Sequence, residues 1–416
     1  MSTAPLAWTR SRREVAPAFV ISGHTMALAV VRALGENGVP VAVLHYDPRD
    51  TAHTSRYVVA DVRVPHPLVD EAGFIEALVR EAKRFGRPVV MPASDESVVA
   101  VSRNRAALLN DCLVAAPEWQ VTQRFIDKSQ TYALADANGV PCPRTLVPHS
   151  LSEAEAQAEA IGFPLLVKPS EGHLYYERFK RKMVRVADMA ALRGAWIEAA
   201  DAGLGVTIQE IIPGADSAVV NYNSYTWAGR PIAEFTARQL RKAPPAFGSP
   251  RVARSERIPE VIEPGRKILA AMGFNGFSCT ELKRDSRDGI YKLMEVNGRH
   301  NLSGLLAVRC GLNFPLIQYR HLALGVLPDD CHFAAGVYWT DVFRDVGYSL
   351  AFIRTERHSP AAYVRPYARR QCDAIFDPND LEPFWTRLRF LAGSATGTAG
   401  RALRGKLRAV ANSSNN

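Results

Sequence analysis

The chain has 416 residues, of which 22% are charged and 47% are hydrophobic, an ordinary balance for a globular protein. Its net charge of +9 favours an anionic partner, and nucleotide phosphate, an acidic membrane and nucleic acid all fit that charge. No stretch is apolar for long enough to cross a bilayer and no signal-peptide core is visible, so we expect neither an integral membrane protein nor a secreted one.

The chain is long for a single core, and roughly two to four packed units are expected. Residues 1–15 look like a flexible leader. Six cysteines are scattered without a CxxC pair or a histidine in metal-site spacing, a pattern typical of reduced, buried thiols. We therefore expect a cytoplasmic protein.

The segment 16–117 predicts an α/β domain. A strand that ends near Gly23, a helix over 26–34 and a strand over 39–44 predict a right-handed βαβ unit, and a similar helix and strand follow. His24 and Asp95 fall at the carboxyl ends of predicted strands, where open α/β sheets bind ligands. A turn or cap role is the favoured interpretation of both. The single glycine of the first turn disfavours a dinucleotide site.

Two lysines occupy positions that favour an anion. Lys128 precedes a predicted helix over 130–137, where a positive side chain opposes the helix dipole unless an anion is present. Lys168 ends an apolar strand over 161–169 and is followed by a proline that fixes the exit direction. For Lys168, a surface lysine lying along the strand is the alternative.

The polar, aromatic and basic loop over 170–186 suits a flap over phosphates, although a solvated hairpin tolerates the same composition. Strand patterns over 206–212, 217–227 and 231–236 follow it.

The run 294–300 carries the main candidate site. Glu295, Asn297 and Arg299 alternate, so on a strand they project from one face. Glu281 lies on the preceding run, and the turn between the runs predicts an antiparallel hairpin that brings Glu281 level with Glu295. Such oxygen ligands suit Mg²⁺, while an exposed polar strand face is the alternative.

The order of these motifs resembles the ATP-grasp superfamily over about residues 18–325. The motifs that carry the resemblance are Asp127-Lys128, Val167-Lys168-Pro169, Gln209-Glu210-Ile211-Ile212-Pro213-Gly214, Thr280-Glu281-Leu282 and Glu295-Val296-Asn297-Gly298-Arg299. The resemblance implies a chain of α/β and α+β class, in which a Rossmann-like pre-ATP-grasp domain precedes two lobes that clamp ATP. We place that first domain at 16–117 and the ATP-grasp domain at 118–328, with its small lobe at about 165–212.

The resemblance also implies roles for individual residues. It assigns the α- and β-phosphates to the two lysines, the adenine to Gln209 and the backbone after it, and the ribose to Asp216. The nucleotide ligands so implied are Lys128, Lys168, Gln209, Glu210, Ile211, Ile212 and Asp216, and Lys182 is our candidate in the flap. The implied metal ligands are Glu281, Glu295 and Asn297, for Mg²⁺ with Mn²⁺ as the alternative. Arg299 would steady the transferred phosphoryl group.

This chain departs from the family pattern in three places. Its flap has fewer glycines and more basic residues than is usual, and Asp216 stands where glutamate is common. The segment 235–248 resembles a subset of bacterial ATP-grasp proteins that names no substrate. In it, Arg238 and Arg241 are candidates for holding a carboxylate or the γ-phosphate, because a guanidinium pairs with either group in bidentate fashion. A solvated basic face is the alternative.

The activity implied is ATP-dependent ligation of a carboxylate to an amine, with small-molecule substrates. A non-catalytic, nucleotide-binding regulatory protein is the alternative. We expect no nucleic-acid partner, because only 175–182 interleaves aromatic with basic residues. Residues 329–390 look like a C-terminal α/β appendage. The basic tail 391–416 is interpreted as partly disordered, with peripheral membrane contact as the less favoured alternative.

Overall fold

The structure is a computed structural model that describes residues 15–47, 50–169, 183–245, 248–356 and 358–396. The candidate Lys182 therefore lies outside the described residues, as do most of the predicted flap and of the basic tail. Within the described part of the chain, no helix is long and apolar enough to cross a membrane.

The first part of the chain forms a parallel sheet with the strand order β3-β2-β1-β4-β5. Its strands are β1 Ala18–Ile21, β2 Val41–His45, β3 Val58–Arg63, β4 Val89–Pro92 and β5 Leu113–Val114. Its helices are α1 Thr25–Gly35, α2 Glu71–Phe85, α3 Asp95–Arg103 and α4 Arg105–Leu108. The chain leaves β1 toward β2 and returns to β4 on the other side, so a ligand crevice is expected where β1 and β4 end.

A small antiparallel sheet follows, with the order β6-β9-β7-β8. Its strands are β6 Thr145–Leu146, β7 Leu165–Pro169, β8 Val184–Val186 and β9 Val206–Glu210. The accompanying helices are α5 Trp119–Ile126, α6 Lys128–Ala137, α7 Leu151–Ile161 and α8 Met189–Asp201. Alanines on one side of α7 and α8 are buried against the sheet, so both helices pack closely on it.

The remaining described strands form one large sheet with the order β14-β13-β10-β11-β12-β15-β16. They are β10 Val219–Trp227, β11 Arg230–Ala243, β12 Ser249–Ser255, β13 Gly276–Arg284, β14 Tyr291–Asn297, β15 Tyr338–Thr340 and β16 Gln371–Asp373. The helices of this region are α9 Ile262–Ala271, α10 Gly304–Arg309, α11 Phe314–Leu324, α12 Val342–Glu356, α13 Pro360–Val364 and α14 Glu382–Thr396.

The two faces of the large sheet bury different partners. On the reverse face, Val220, Leu282 and Leu293 pack in a core cluster that includes Ile268 of α9. The opposite face, called the cleft face here, carries Glu281 and Glu295 at one end and a core around Trp339 at the other. Alternation along each strand therefore separates the hydrophobic reverse face from the polar end of the cleft face.

The residues predicted as an appendage extend this large sheet. β15 pairs with β12, and β16 pairs in parallel with β15. The same region is tied to helix α1 of the first domain by a buried ion pair, in which the Nε of Arg32 lies 2.9 Å from a carboxylate oxygen of Asp380. The appendage thus touches a helix of the first domain and extends the large sheet.

Candidate active site

The predicted hairpin of acidic residues is confirmed. β13 and β14 are antiparallel, and Glu281 is the direct cross-strand partner of Glu295, while Cys279 faces Asn297. Because cross-strand partners project from the same face, the two carboxylates share the cleft face of the sheet. The Nδ2 of Asn297 donates to a carboxylate oxygen of Glu295 at 3.1 Å.

Glu281 is held by two neighbours on β11. The Nε2 of Gln239 donates to one carboxylate oxygen at 2.7 Å, and the Nζ of Lys242 lies 3.6 Å from the other. Burial raises the pKa of Glu281, Lys242 opposes this rise, and the nearby carboxylate of Glu295 adds to it. A cation between the two acids would relieve that repulsion.

Glu295 forms an ion pair with Lys128, whose Nζ lies 3.2 Å from a carboxylate oxygen. Burial acts to raise the pKa of Glu295, but Lys128 and Asn297 outweigh it and lower the pKa to about 2. Lys128 is the first residue of α6, and the carboxylate of Glu295 raises its pKa. Lys128, which was predicted to bind a phosphate, is thus paired here with Glu295, a candidate metal ligand.

Lys168 and Gln209 meet on the small sheet. The Nζ of Lys168 donates a hydrogen bond to the side-chain oxygen of Gln209, and the Nε2 of Gln209 donates to the hydroxyl of Thr145 at 2.8 Å. Burial lowers the pKa of Lys168 to about 7, and the positive charge of Lys128 contributes. The charges of Lys128 and Glu295 both act on the pKa of Lys168. Arg287, in the turn between β13 and β14, donates to Glu210 of β9 at 2.5 Å, so the small sheet and the acidic hairpin lie side by side, and the space between them is called the cleft.

The acidic end of the cleft fits a hard divalent cation. Glu281 and Glu295 supply carboxylate oxygens on adjacent strands, and Asn297 adds an amide. Oxygen donors of this kind suit Mg²⁺. The described residues contain no group of three or more histidine, cysteine, aspartate or glutamate side chains in metal-site arrangement, so an ion here would complete its shell with other oxygens.

The residues predicted to hold the nucleoside line the exit from β9. The carboxylate of Glu210 accepts from the backbone N–H of Arg144 at 3.0 Å, while its own N–H donates to the carbonyl of Arg144. Ile212 is buried and Ile211 is partly exposed. Asp216 begins the short helix Asp216–Ala218 and accepts from the backbone N–H of Lys242 at 3.0 Å.

Arg299 extends from the acidic strand to the parallel sheet. Its Nε and one terminal nitrogen lie 2.6 and 2.9 Å from the carboxylate oxygens of Asp95, which is the first residue of α3. Asp95 does not cap that helix, because the hydroxyl of Ser94 does so. His24 is the N-cap residue of α1, just beyond the end of β1. Burial lowers its pKa, and the positive charges of Arg344 and Arg299 lower it further. The end of β4, where a ligand crevice is expected, therefore lies beside the strand of the candidate metal ligands.

The two other predicted arginines do not meet the acids. Arg238 is the register partner of Val220 and projects from the reverse face, where Glu256 accepts from its guanidinium at 2.8 Å. Arg241 donates to Asp345 at 2.8 Å and stacks over the ring of Tyr363. Both guanidiniums are already paired away from Glu281.

A groove of about 550 Å³ also lies away from the cleft, lined partly by Arg254, Glu256 and Tyr338. Arg254 is the register partner of Arg238, and Tyr338 is the register partner of Arg254, so all three lie on the reverse face. The groove therefore offers no surface to the cleft acids.

Lys242, like Gln239, is a cleft residue that the sequence did not predict. Its side chain is 7% exposed and approaches Glu281, as described above. Strict alternation along β11 predicts that Gln239 and Lys242 lie on opposite faces. The structure has register shifts between Gln239 and Arg241 and again before Lys242, and these bring both side chains to Glu281.

No protein-family model matches the chain. It is 23% identical over 290 residues to a D-aspartate ligase from Enterococcus faecium (strain Aus0004), which covers 64% of this chain and 68% of that enzyme. It is 26% identical over 223 residues to a D-alanine–D-alanine ligase from Ectopseudomonas mendocina (strain ymp), covering 49% and 65% respectively. The chain therefore spans about two thirds of the length of these relatives.

The structure resembles N5-carboxyaminoimidazole synthetase from Staphylococcus aureus complexed with ADP, with a TM-score of 0.60 and 14% identity. The match covers 76% of this chain and 79% of that one. At this identity the likeness shows a shared fold, and the predicted class, α/β and α+β with one parallel sheet and antiparallel sheets, is confirmed.

Proposed function

We propose that this chain, a member of the ATP-grasp superfamily, is an ATP-dependent ligase that joins a carboxylate to an amine and releases ADP and phosphate. The observation that carries the proposal is the pair of acids Glu281 and Glu295 on adjacent strands, with the Nζ of Lys128 3.2 Å from Glu295 and with Lys168 of the small sheet close enough for the charges of Lys128 and Glu295 to act on its pKa. Both relatives are named as ligases, which favours catalysis over the non-catalytic alternative.

The charges of the cleft suit each step of such a reaction. A carboxylate oxygen of the first substrate attacks the γ-phosphorus of ATP, the bond from that phosphorus to the β-phosphate bridging oxygen breaks, and ADP leaves. The amine nitrogen then attacks the acyl carbon, phosphate leaves, and the nitrogen loses a proton to give the amide. Because the protein donates no atoms, its contribution is alignment and charge stabilisation.

Each charged residue of the cleft has a place in this scheme. Lys128 and Lys168 bind the α- and β-phosphates, and Lys242 is placed to meet the γ-phosphate or the acyl phosphate beside Glu281. Glu281, Glu295 and Asn297 hold Mg²⁺, which when bound neutralises phosphate charge; Mn²⁺ is chemically similar enough to replace it. Gln209 and the backbone after it face the adenine, and Asp216 takes the ribose hydroxyls.

We infer that the carboxylate and amine substrates bind in the crevice at the ends of β1 and β4. His24 and Asp95 lie there, and the ion pair of Asp95 with Arg299 links the crevice to the strand of the metal ligands. Open α/β sheets bind ligands at this position. In this arrangement Arg299 would steady the phosphoryl group, the role that the family resemblance implies for it.

The experiment is to incubate the protein with ATP, Mg²⁺ and pools of carboxylic acids in the presence of hydroxylamine, which converts an acylphosphate into a hydroxamate. We expect a hydroxamate with at least one acid, and its loss in Glu295→Gln and Lys168→Ala. Matched controls are Glu263→Gln and Lys267→Ala, which change exposed residues of α9 on the far side of the sheet.

Retained turnover in both cleft variants would contradict the proposed site. If the wild-type protein binds Mg-ADP but forms no hydroxamate with any acid and no ADP from ATP, the regulatory alternative is favoured instead. Circular dichroism and thermal unfolding of each variant separate loss of chemistry from loss of fold.

A further inference from the structure

The backbone of Lys242 is held from both sides by side chains. Its N–H donates to a carboxylate oxygen of Asp216 at 3.0 Å, and its carbonyl accepts from the Nε of Arg251 at 2.9 Å. The side chain then reaches into the cleft, with its Nζ 3.6 Å from Glu281. Two side-chain contacts therefore fix the peptide units on either side of a buried lysine at the candidate metal site.

These contacts lie where the regular strand pairing is interrupted. β11 shifts register against β12 between Gln239 and Arg241 and again between Arg241 and Lys242. A bulge leaves backbone groups outside the ladder of hydrogen bonds, so the ladder alone does not orient Lys242. Asp216 and Arg251 supply hydrogen bonds at this point.

Arg251 is anchored by the C-terminal appendage. Its guanidinium is fully buried, and one terminal nitrogen donates to a carboxylate oxygen of Asp345 at 2.9 Å, to the Asp345 carbonyl at 3.1 Å and to the hydroxyl of Ser349 at 2.6 Å. Asp345 and Ser349 belong to α12. The appendage helix therefore fixes the guanidinium whose Nε reaches the carbonyl of Lys242.

Asp345 is the centre of this buried cluster. Its other carboxylate oxygen accepts from Arg241 at 2.8 Å and from the hydroxyl of Tyr367 at 2.5 Å. Two arginines and one aspartate are buried together, and a buried charge without its partner is strongly unfavourable. Asp345 therefore determines the position of the Arg251 guanidinium. Arg241 is paired with the same carboxylate, so its guanidinium is not available to the cleft.

We propose that Asp345, acting through Arg251, positions Lys242 in the cleft, so that the appendage 329–390 is a working part of the active site. The role of Lys242 in turnover rests on the proposed function. The position of the Lys242 side chain does not, because it can be measured in a protein without ligase activity. Asp345 and Arg251 are positioning residues, because neither reaches the cleft acids.

The test compares Arg251→Lys with Ser349→Ala. A lysine at 251 keeps a positive charge for Asp345 but cannot also direct an Nε–H to the carbonyl of Lys242. Ser349→Ala removes a hydrogen bond from the same guanidinium and leaves the contact with Lys242 intact. The second variant is therefore a matched control for general loosening of the cluster.

Two measurements separate positioning from stability. The first is the kcat of acyl hydroxamate formation set against the Kd of Mg-ADP. For Arg251→Lys we expect kcat to fall roughly tenfold or more while the Kd stays within about twofold, because misplacing one charged group affects the reacting centre more than nucleotide binding. The second is the rate at which acetic anhydride labels Lys242 in the full-length protein, read by mass spectrometry. We expect that rate to rise severalfold.

In Ser349→Ala, kcat and the labelling rate should both stay within about twofold of wild type. Tyr367→Phe removes one neutral hydrogen bond to Asp345, so it should change kcat and labelling in the same direction as Arg251→Lys but by less. A folded Arg251→Lys protein with wild-type kcat and labelling would overturn the proposal, as would equal effects in Ser349→Ala. If Arg251→Lys does not fold, unchanged labelling in Tyr367→Phe would overturn it. Labelling does not need turnover, so a wild-type protein without ligase activity counts against the proposed function only.

Discussion

The lowered pKa of Lys168 predicts that nucleotide binding depends on pH. In the free protein, burial and the charge of Lys128 lower that pKa to about 7, so Lys168 loses its proton as the pH rises through neutrality. A phosphate bound against Lys168 favours the charged ammonium. Above pH 7, binding must therefore be accompanied by uptake of a proton, and the affinity for Mg-ADP must fall.

The size of the effect follows from the pKa. If only the protonated site binds well, the apparent Kd scales with one plus the ratio of neutral to charged Lys168, and it rises roughly fiftyfold between pH 7 and pH 9. Isothermal titration in buffers of different ionisation enthalpy should also detect uptake of about one proton at the upper end of that range.

Lys168→Arg is the control for this prediction. A guanidinium stays charged throughout this range, so the variant should bind Mg-ADP with a much flatter pH profile, even if its affinity at pH 7 is lower. The reasoning is refuted if the wild-type Kd is constant between pH 7 and pH 9, or if the arginine variant has the same pH dependence as the wild type.

Three further predictions concern the cleft and the core. Glu281→Gln should weaken the Mg²⁺ dependence of ADP binding by roughly tenfold or more, because one of two metal carboxylates is lost; equal Mg²⁺ titration curves in calorimetry would contradict this. Asp95→Asn should lower hydroxamate formation roughly tenfold by releasing Arg299. It should change the free energy of unfolding by less than about 1 kcal/mol, because Asp95 is 54% exposed. A normal kcat in this variant would show that Asp95 does not position Arg299 for the reaction. Trp339→Ala should lower the free energy of unfolding in urea by about 3–5 kcal/mol, because the ring is completely buried between the sheet and its helices. A loss below about 1 kcal/mol would mean that neighbouring side chains fill the space left by the ring.

The parts of the site that local pattern determines could be predicted from the sequence. The alternation of Glu295 and Asn297, with a turn before them, specifies a hairpin, and the register of β13 and β14 agrees. The helix over Glu71–Phe85 was equally visible because its apolar residues repeat at helical spacing. Hydrogen-bonded turns and side-chain periodicity act over a few residues, so a single sequence contains them.

Contacts between distant segments could not be predicted in this way. Lys128 and Glu295 are 167 positions apart, and the position of Lys128 at the start of a helix suggested an anion without naming this one. The pairing of Arg299 with Asp95 spans 204 positions and fixes both side chains at the crevice. Spacing along the chain carries no information on such pairs, because they depend on how the sheets pack.

The arginines of β11 show a different limit, which arises within a single strand. The period of a regular strand assigns Arg238 and Lys242 to one face and Arg241 to the other. The arginines are the expected partners of a carboxylate or phosphate, because a guanidinium pairs with either group in bidentate fashion. The bulge adds a residue at Leu240, so that Lys242 joins Gln239 on the cleft face while Arg241 turns to the buried Asp345. The two register shifts, at Leu240 of β11 and at Arg251 of β12, thus decide which cation serves the cleft. Pro250 flanks the second shift, but Leu240 has neither glycine nor proline beside it, so the exchange is visible only once the register with β12 is known.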